Sequence, residues 1–251
     1  MAAQASCCLS GFQWDGTPTG NEGILANNKT YIAGANQEVA VLVIADLFGW
    51  TFVNERLLCD QYAKEVGATV YMPDFFGGEV IDPAVVAEPT RWGEFDLKGF
   101  MVRNSKKNRW DEIKECAQAL KKKYKRLGVI GYCFGGWSGF RLGSDEYTPR
   151  LVDCISTAHP TLLTKEEIAA IDVPVQIIAP EHDRVFTPEL KTYARETIPS
   201  KNVPFDYQHF PGVQHGFATR GKLEEKGERR SMLRAKRAQV AWMREWLHGE
   251  D

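Results

Sequence analysis

The sequence predicts an α/β fold: a mainly parallel central sheet with helices packed on both faces. Three observations predict it. Short, β-branched apolar runs recur at residues 39–45, 127–130 and 174–179, the pattern of strands buried on both faces. Segments of helical periodicity alternate with such runs, as at 51–66 and 110–125. And one strand turns sharply into a helix through Gly131-Tyr132-Cys133-Phe134-Gly135-Gly136. At 251 residues the chain fits a single domain over 1–251, with no internal repeat or linker to divide it.

Residues 1–38 are rich in Gly, Asn and Thr, and Asp15-Gly16 and Thr17-Pro18 mark turns. Thr30-Tyr31-Ile32-Ala33 predicts a short strand, one arm of an edge hairpin. The run at 39–45 is too short for a helix and predicts a central strand, with Asp46-Leu47-Phe48-Gly49 at its carboxyl end. Val53, Leu57, Leu58, Tyr62 and Val66 then recur at helical spacing, and Gly67 supplies a stop. Residues 68–72 predict the next strand, ended by Pro73-Asp74. Gly77-Gly78, Pro83, Pro89 and Gly93 break residues 75–108, where Trp92, Phe95 and Phe100 are interspersed. Aromatic side chains in so broken a segment predict a loop packed over something, as a lid or pocket wall.

Residues 110–125 predict an amphipathic helix with Ile113, Ala117 and Leu120 inward and Lys121-Lys122-Lys123 as its solvated end. After the glycine-rich turn, a strand at 152–157 ends at Ala158-His159-Pro160, and one at 174–179 ends at Pro180-Glu181-His182-Asp183. Thr187-Pro188 opens a helix with a cap followed by proline. Residues 205–210 predict the last strand. Leu233, Val240, Met243 and Leu247 then line one side of a long closing helix, with Trp242 and Trp246 near it.

Composition narrows the function classes. Lys plus Arg number 31 against 33 Asp plus Glu, which gives no global attraction to nucleic acid or an anionic membrane. The basic run Arg229-Arg230, Arg234, Lys236-Arg237 reads as the outer face of the closing helix. No basic start with an apolar run marks a secretion signal, and the apolar stretch at 39–45 is far too short to span a bilayer. Six cysteines, Cys7, Cys8, Cys59, Cys116, Cys133 and Cys154, form no C-x-x-C pair, and no histidine stands at metal-finger spacing from them. Reduced thiols in a cytoplasmic protein, with no metal and no cofactor, are the expectation. The adjacent Cys7-Cys8 suits packing onto the body of the domain; a soft metal or a strained redox disulfide is the alternative.

The turn at Cys133 carries the chemistry. Strand, Gly-x-nucleophile-x-Gly, helix is the turn of the α/β-hydrolases, here with Cys in the place of Ser. Side chains at Gly131 and Gly135 would collide with the neighbouring strand and helix. The turn sets Cys133 at a helix N-terminus, where the backbone dipole favours a thiolate. The competing reading is a buried structural thiol. Ligands of open α/β sheets bind at the carboxyl ends of the strands, which collects Asp46, Cys133, His159, Asp183 and His215. The order Cys133, Asp183, His215 matches the nucleophile–acid–His order of that fold. His215, in a loop flanked by Gly212 and Gly216, is the candidate base over His159, His182, His209 and His248. Asp183, just past a strand end, competes with Glu181 and Asp206. The backbone amides of Phe134 and Leu47 are the candidate oxyanion donors.

Gly131–Gly136, the Asp183 loop and His215-Gly216-Phe217-Ala218 resemble the dienelactone hydrolase (carboxymethylenebutenolidase) family, from about Gly11 to the C-terminus. The Cys7-Cys8…Ser10-Gly11-Phe12 opening is similar to its eukaryotic branch. The resemblance implies a Cys-Asp-His triad that hydrolyses an ester or lactone through a thioester. It also implies a carboxylate after the early strand that holds the resting thiol; the best-studied members have Glu there, and this chain has Asp46. Those members bind the substrate carboxylate with two arginines. Arg220 approximates one, displaced by a residue. The other is replaced by Asp74-Phe75-Phe76-Gly77-Gly78, leaving Arg91 or Arg103 as substitutes. Phe75, Phe76, Trp92 and Phe95, with His159 as a further pocket residue, point to a more apolar or aromatic substrate. The alternatives are a ligand-binding protein on the same fold and a biosynthetic enzyme of acyl transfer, cyclisation or isomerisation. The expected partner is a small-molecule ester or lactone, and the oligomeric state, monomer or homodimer, stays open.

Overall fold

The computed structural model of the chain describes residues 13–82, 85 and 89–249. Cys7-Cys8 and the Ser10-Gly11-Phe12 opening lie outside them. Eight strands form one sheet: β1 (Asn21–Leu25), β2 (Asn28–Ala33), β3 (Val39–Ile44), β4 (Thr69–Pro73), β5 (Arg126–Tyr132), β6 (Cys154–Ala158), β7 (Val175–His182) and β8 (Phe205–Gln214). Their order across the sheet is β1-β2-β4-β3-β5-β6-β7-β8. β1 and β2 form the expected edge hairpin, turning through Ala26 and Asn27, both at positive φ, as a two-residue turn demands. β2 also runs antiparallel to β4, and from β4 to β8 every pair is parallel.

The apolar run of β3 is continuous because alternate residues feed two cores. Ala40, Leu42 and Ile44 join the layer of α3 (Lys106–Lys123) and α4 (Gly135–Leu142), where Ile113, Ala117, Leu120 and Trp137 are buried. Val41 and Val43 join the opposite layer, where α1 (Val53–Tyr62) contributes Leu58 and Tyr62. The closing helix adds Ala235, Met243 and Leu247 to that second layer. None of the described helices is long and apolar enough to cross a membrane.

Four expectations need correction. The segment at 75–108 is not one loop. It holds a tight turn at Pro89–Glu94 and α2 (Leu97–Arg103), and α3 begins at Lys106, not Trp110. Asp96 caps α2 by accepting from the Gly99 amide at 2.8 Å, and a Cβ at Gly99 would lie 1.8 Å from the Asp96 carboxylate. The first helix stops at Tyr62 and widens into a π-turn, Ala63–Gly67, before Gly67 ends it at φ +75°. The lysines ending α3 are not simply solvated: Lys121 pairs with Asp153 at 2.6 Å, and Lys123 lies over the rings of Tyr71 and Tyr124. Leu233 points outward at 41% exposure, the seam of the closing helix being Met232, Ala235, Gln239, Val240, Met243 and Leu247. Further helices are α5 (Lys165–Ala169), α6 (Pro188–Thr197), α7 (Phe217–Arg220) and α8 (Lys226–His248), the last being the closing helix. Thr187 caps α6 by accepting from the Leu190 amide.

This topology brings the carboxyl ends of β3, β5, β6, β7 and β8 to one side of the sheet. They deliver Asp46, Cys133, His159, Asp183 and His215.

Candidate active site

Cys133 follows β5 with φ +47°, a left-handed conformation that costs a non-glycine residue energy. Its neighbours make the turn feasible. A Cβ at Gly131 would lie 2.2 Å from the Gly135 carbonyl oxygen, and one at Gly135 would lie 2.2 Å from that of Ile44. Phe134 caps α4, so the helix starts directly beside the thiol.

His215 Nε2 is 3.2 Å from Cys133 Sγ, and its Nδ1 is 2.9 Å from Asp183 Oδ2. Both side chains of the His–Asp pair are fully buried. Asp183 is held from behind: its Oδ1 accepts from the amides of Val185 at 2.9 Å and Phe186 at 3.0 Å. A shift in the β7–β8 register between Pro180 and His182 aims this loop, and the His215 amide donates to the His182 carbonyl at 3.1 Å. Lys191, on α6, caps the same strand end, its ammonium donating to the carbonyls of Pro180 at 2.5 Å and Glu181 at 3.1 Å.

The rival residues lie elsewhere. His182, His209 and His248 are exposed. Glu181 accepts from the Gly212 amide, and Asp206 accepts from Gln176 and Gln208. The other cysteines among the described residues, Cys59, Cys116 and Cys154, are free and buried. Burial pushes their thiols up, that of Cys116 to about 12, which keeps them as inert packing.

Among the described residues neither the Phe134 nor the Leu47 amide donates to a protein acceptor. Both belong to buried residues flanking the thiol turn and the end of β3. Phe134 is braced by Phe76, edge-on at 5.0 Å, and by Trp137 at 5.6 Å. Phe100 and Phe95 continue this row of rings behind Phe76. Phe75 and Phe76 are themselves 3% and 2% exposed, so they shape a wall from within the core. The side chain of Trp92 lies outside what is described.

Three expected pocket residues are engaged with one another or with the core. Asp46 does not turn to Cys133. Its Oδ1 accepts from the Phe48 amide at 2.8 Å, and its Oδ2 accepts from Thr219 Oγ1 at 2.9 Å and pairs with Arg220 Nε at 3.0 Å. Arg220 is therefore no open carboxylate anchor: it is 2% exposed, and its guanidinium lies 4.9 Å from the centre of the Phe48 ring. Glu55, buried on α1, accepts from the Asp46 amide at 3.1 Å. Burial first, then the charge of Asp46, pushes its carboxyl well above the usual range. His159 is fully buried, stacked on Tyr132 and edge-on to His215 with 5.0 Å between ring centres. Burial, then His215 and Arg220, hold its imidazole well below the usual value, so this ring is neutral.

The substitutes for a second arginine are spoken for as well. Arg91 pairs with Glu94, and Arg103 pairs with Glu79 and Asp96. Asp74 closes its own turn, accepting from the amides of Phe76 and Gly78. Among the described residues no three His, Cys, Asp or Glu side chains come together as a metal site.

Sequence reading passed over Glu55, Thr161, Lys191 and Thr219. Glu55 left a signal, an acid on the apolar side of a predicted helix, three residues before Leu58. The others left none.

A family model described as the dienelactone hydrolase family matches residues 28–247. Hydrolase tropI of Talaromyces stipitatus is 30% identical over 256 residues, covering 96% of each chain. The carboxymethylenebutenolidase homolog of Mus musculus is 26% identical, covering 98% of this chain and 100% of its own. The crystal structure of a putative dienelactone hydrolase from Klebsiella pneumoniae superimposes with a TM-score of 0.68 at 15% identity, covering 90% of this chain and 98% of that one. This last likeness is one of fold.

Proposed function

This chain belongs to the dienelactone hydrolase family, and from that membership we propose that it cleaves an ester or lactone with Cys133 as nucleophile, through a thioester. One observation carries the reading: a single imidazole spans the thiol, at 3.2 Å, and a fixed carboxylate, at 2.9 Å.

His215 Nε2 takes the proton of the Cys133 thiol as Sγ attacks the carbonyl carbon. Asp183 holds Nδ1–H and balances the imidazolium. The carbonyl electron pair moves to oxygen, which the Phe134 and Leu47 amides receive; such a donor is worth roughly 10²–10³ in rate. Collapse breaks the C–O bond, and the leaving alkoxide takes the proton from Nε2. In a lactone this alcohol stays attached to the acyl group. Water then gives a proton to Nε2 and its oxygen attacks the thioester carbon. The sulfur departs and regains its proton, and the acid is released. Arg220, neutralised by Asp46, takes no part in anchoring a substrate carboxylate. The row from Phe95 to Phe134 supports an apolar or aromatic substrate.

The test is Cys133→Ala on a panel of aryl esters and lactones, with mass detection of an acyl adduct on the Cys133 peptide of the parent protein. The expected loss of hydrolysis is at least about 10³-fold, with the adduct confined to that peptide. Full hydrolysis by Cys133→Ala would sink the reading. Hydrolysis lost with no adduct in the parent would remove the thioester.

A further inference from the structure

The Cys133 sulfur has a second polar neighbour, Thr161 Oγ1, at 3.8 Å. Thr161 ends the segment Ala158-His159-Pro160-Thr161, which grips the nucleophile turn on both sides. The Cys133 amide donates to the Ala158 carbonyl at 3.2 Å, and the Thr161 amide donates to the Cys133 carbonyl at 2.8 Å. Pro160 closes over the start of α4, where a Cβ at Gly136 would lie 2.3 Å from the Pro160 Cβ. The backbone bends to make this grip: His159 and Leu162, on either side of Pro160-Thr161, take φ of +43° and +59°. Thr161 itself is 8% exposed.

We propose that Thr161 is a catalytic residue of this site, its hydroxyl meeting Cys133 Sγ as a second polar partner beside His215 Nε2 and stabilising the sulfur as charge develops on it. The proposal rests on the reading of Cys133 as nucleophile. A hydroxyl suits both states because it carries one donor and two acceptor lone pairs. In the resting thiol, Oγ1 accepts from S–H when that hydrogen is turned away from Nε2, and rotation about the Cβ–Sγ bond carries it to Nε2 for transfer. Once the thiol proton has passed to Nε2, the hydroxyl rotates and donates its own hydrogen to the sulfur. Thr161 keeps its proton throughout. A neutral S–H···O contact is weak, whereas a hydrogen bond to a charged acceptor is markedly stronger. The contact therefore strengthens in the direction of reaction, which is what accelerates a step. Asp46 leaves this role open, its two carboxylate oxygens being taken by Phe48, Thr219 and Arg220.

The experiment compares Thr161→Val, Thr161→Ser and Thr161→Ala with the parent protein. It reads the iodoacetamide alkylation rate of Cys133, kcat/KM on an aryl ester, and the urea midpoint. Valine keeps the shape and loses the hydroxyl; about a 10-fold fall in both rates is expected. Serine keeps the hydroxyl and should stay within about 3-fold of the parent. If valine prevents folding, the Ser–Ala pair differs by the hydroxyl alone and carries the same test. Parent-like rates in Thr161→Val, or equal losses in Ser and Ala, overturn the role of Thr161 while leaving the nucleophile in place. A parent Cys133 that resists alkylation while hydrolysis proceeds overturns both readings.

Discussion

At the ends of β7 and β8, Asp183 faces His215 across 2.9 Å; at the end of β3, Asp46 faces Arg220 across 3.0 Å. Each pair joins a buried carboxylate to a nitrogen base, and each carboxylate is fixed by backbone amides of its own loop. The pairs differ in what the base has left. The imidazole offers a second nitrogen, and that nitrogen meets the thiol. A guanidinium carries donors only and does not give up its proton in a protein. The first pair can move a proton. The second, with Glu55 accepting from the Asp46 amide and Thr219 donating to the Asp46 carboxylate, is a mount that fixes α7 to the end of β3. A carboxylate–base pair near a strand end is thus not a sign of chemistry by itself. A spare titratable atom aimed at a reactive group is.

Three changes test this contrast. The largest effect belongs to Asp183→Asn. It should lower kcat on an aryl ester by about 10³–10⁴-fold, because the wrong imidazole tautomer then faces the thiol. Its urea midpoint should barely move, since the amide oxygen still accepts from Val185 and Phe186. A variant that instead unfolds readily would make Asp183 a mount as well. Next is Arg220→Met, which strands Asp46 as a buried charge. A loss of about 3–5 kcal/mol in urea denaturation is expected. Unchanged stability with a raised KM for carboxylate-bearing substrates alone would return Arg220 to substrate binding and break the contrast.

The smallest effect is that of Glu55→Gln. The folded-state carboxyl titrates above its unfolded value, so the folded protein binds more protons. Its stabilising share is complete below about pH 4.3 and drains as pH rises toward the folded-state value. Glutamine has no such drain. From about pH 4.3 upward the variant should lose less stability than the parent as pH rises. Parallel urea midpoints across that range would mean that Glu55 is ionised in the fold.

Local features were legible in the sequence. The β3 run announced a strand buried on two faces, and its residues alternate between two cores. Gly131 and Gly135 announced a crowded turn, and both lie where a Cβ has no room. The chain order of Cys133, Asp183 and His215 could be read because each follows a strand whose end the topology brings together. The Asp46–Arg220 pairing could not, because two residues 174 positions apart carry no local mark of their contact. Each alone resembles a pocket residue. Thr161 was hidden for a related reason: its place beside the thiol depends on how Pro160 closes over α4. The α2 helix was obscured by the breaks at Gly77-Gly78, Pro83, Pro89 and Gly93 before it, while the Asp96 cap that starts it shows only in its bond to the Gly99 amide.

Trp14 donates its amide to Asn54 Oδ1 at 2.7 Å and its indole N–H to the Gly221 carbonyl at 2.9 Å, and Asn54 donates to the Thr219 carbonyl at 2.8 Å. The turn that follows His215 is thereby fastened to residues from the opening stretch of the chain. This gives the molecule a history during its own synthesis. The imidazole is made 82 residues after the thiol it serves, a delay of about 4–16 s at ordinary elongation rates. Through that interval the nucleophile exists without its base. The early residues meanwhile hold an unfilled half of a clasp, and only when Gly221 reaches Trp14 is the seam behind the site closed.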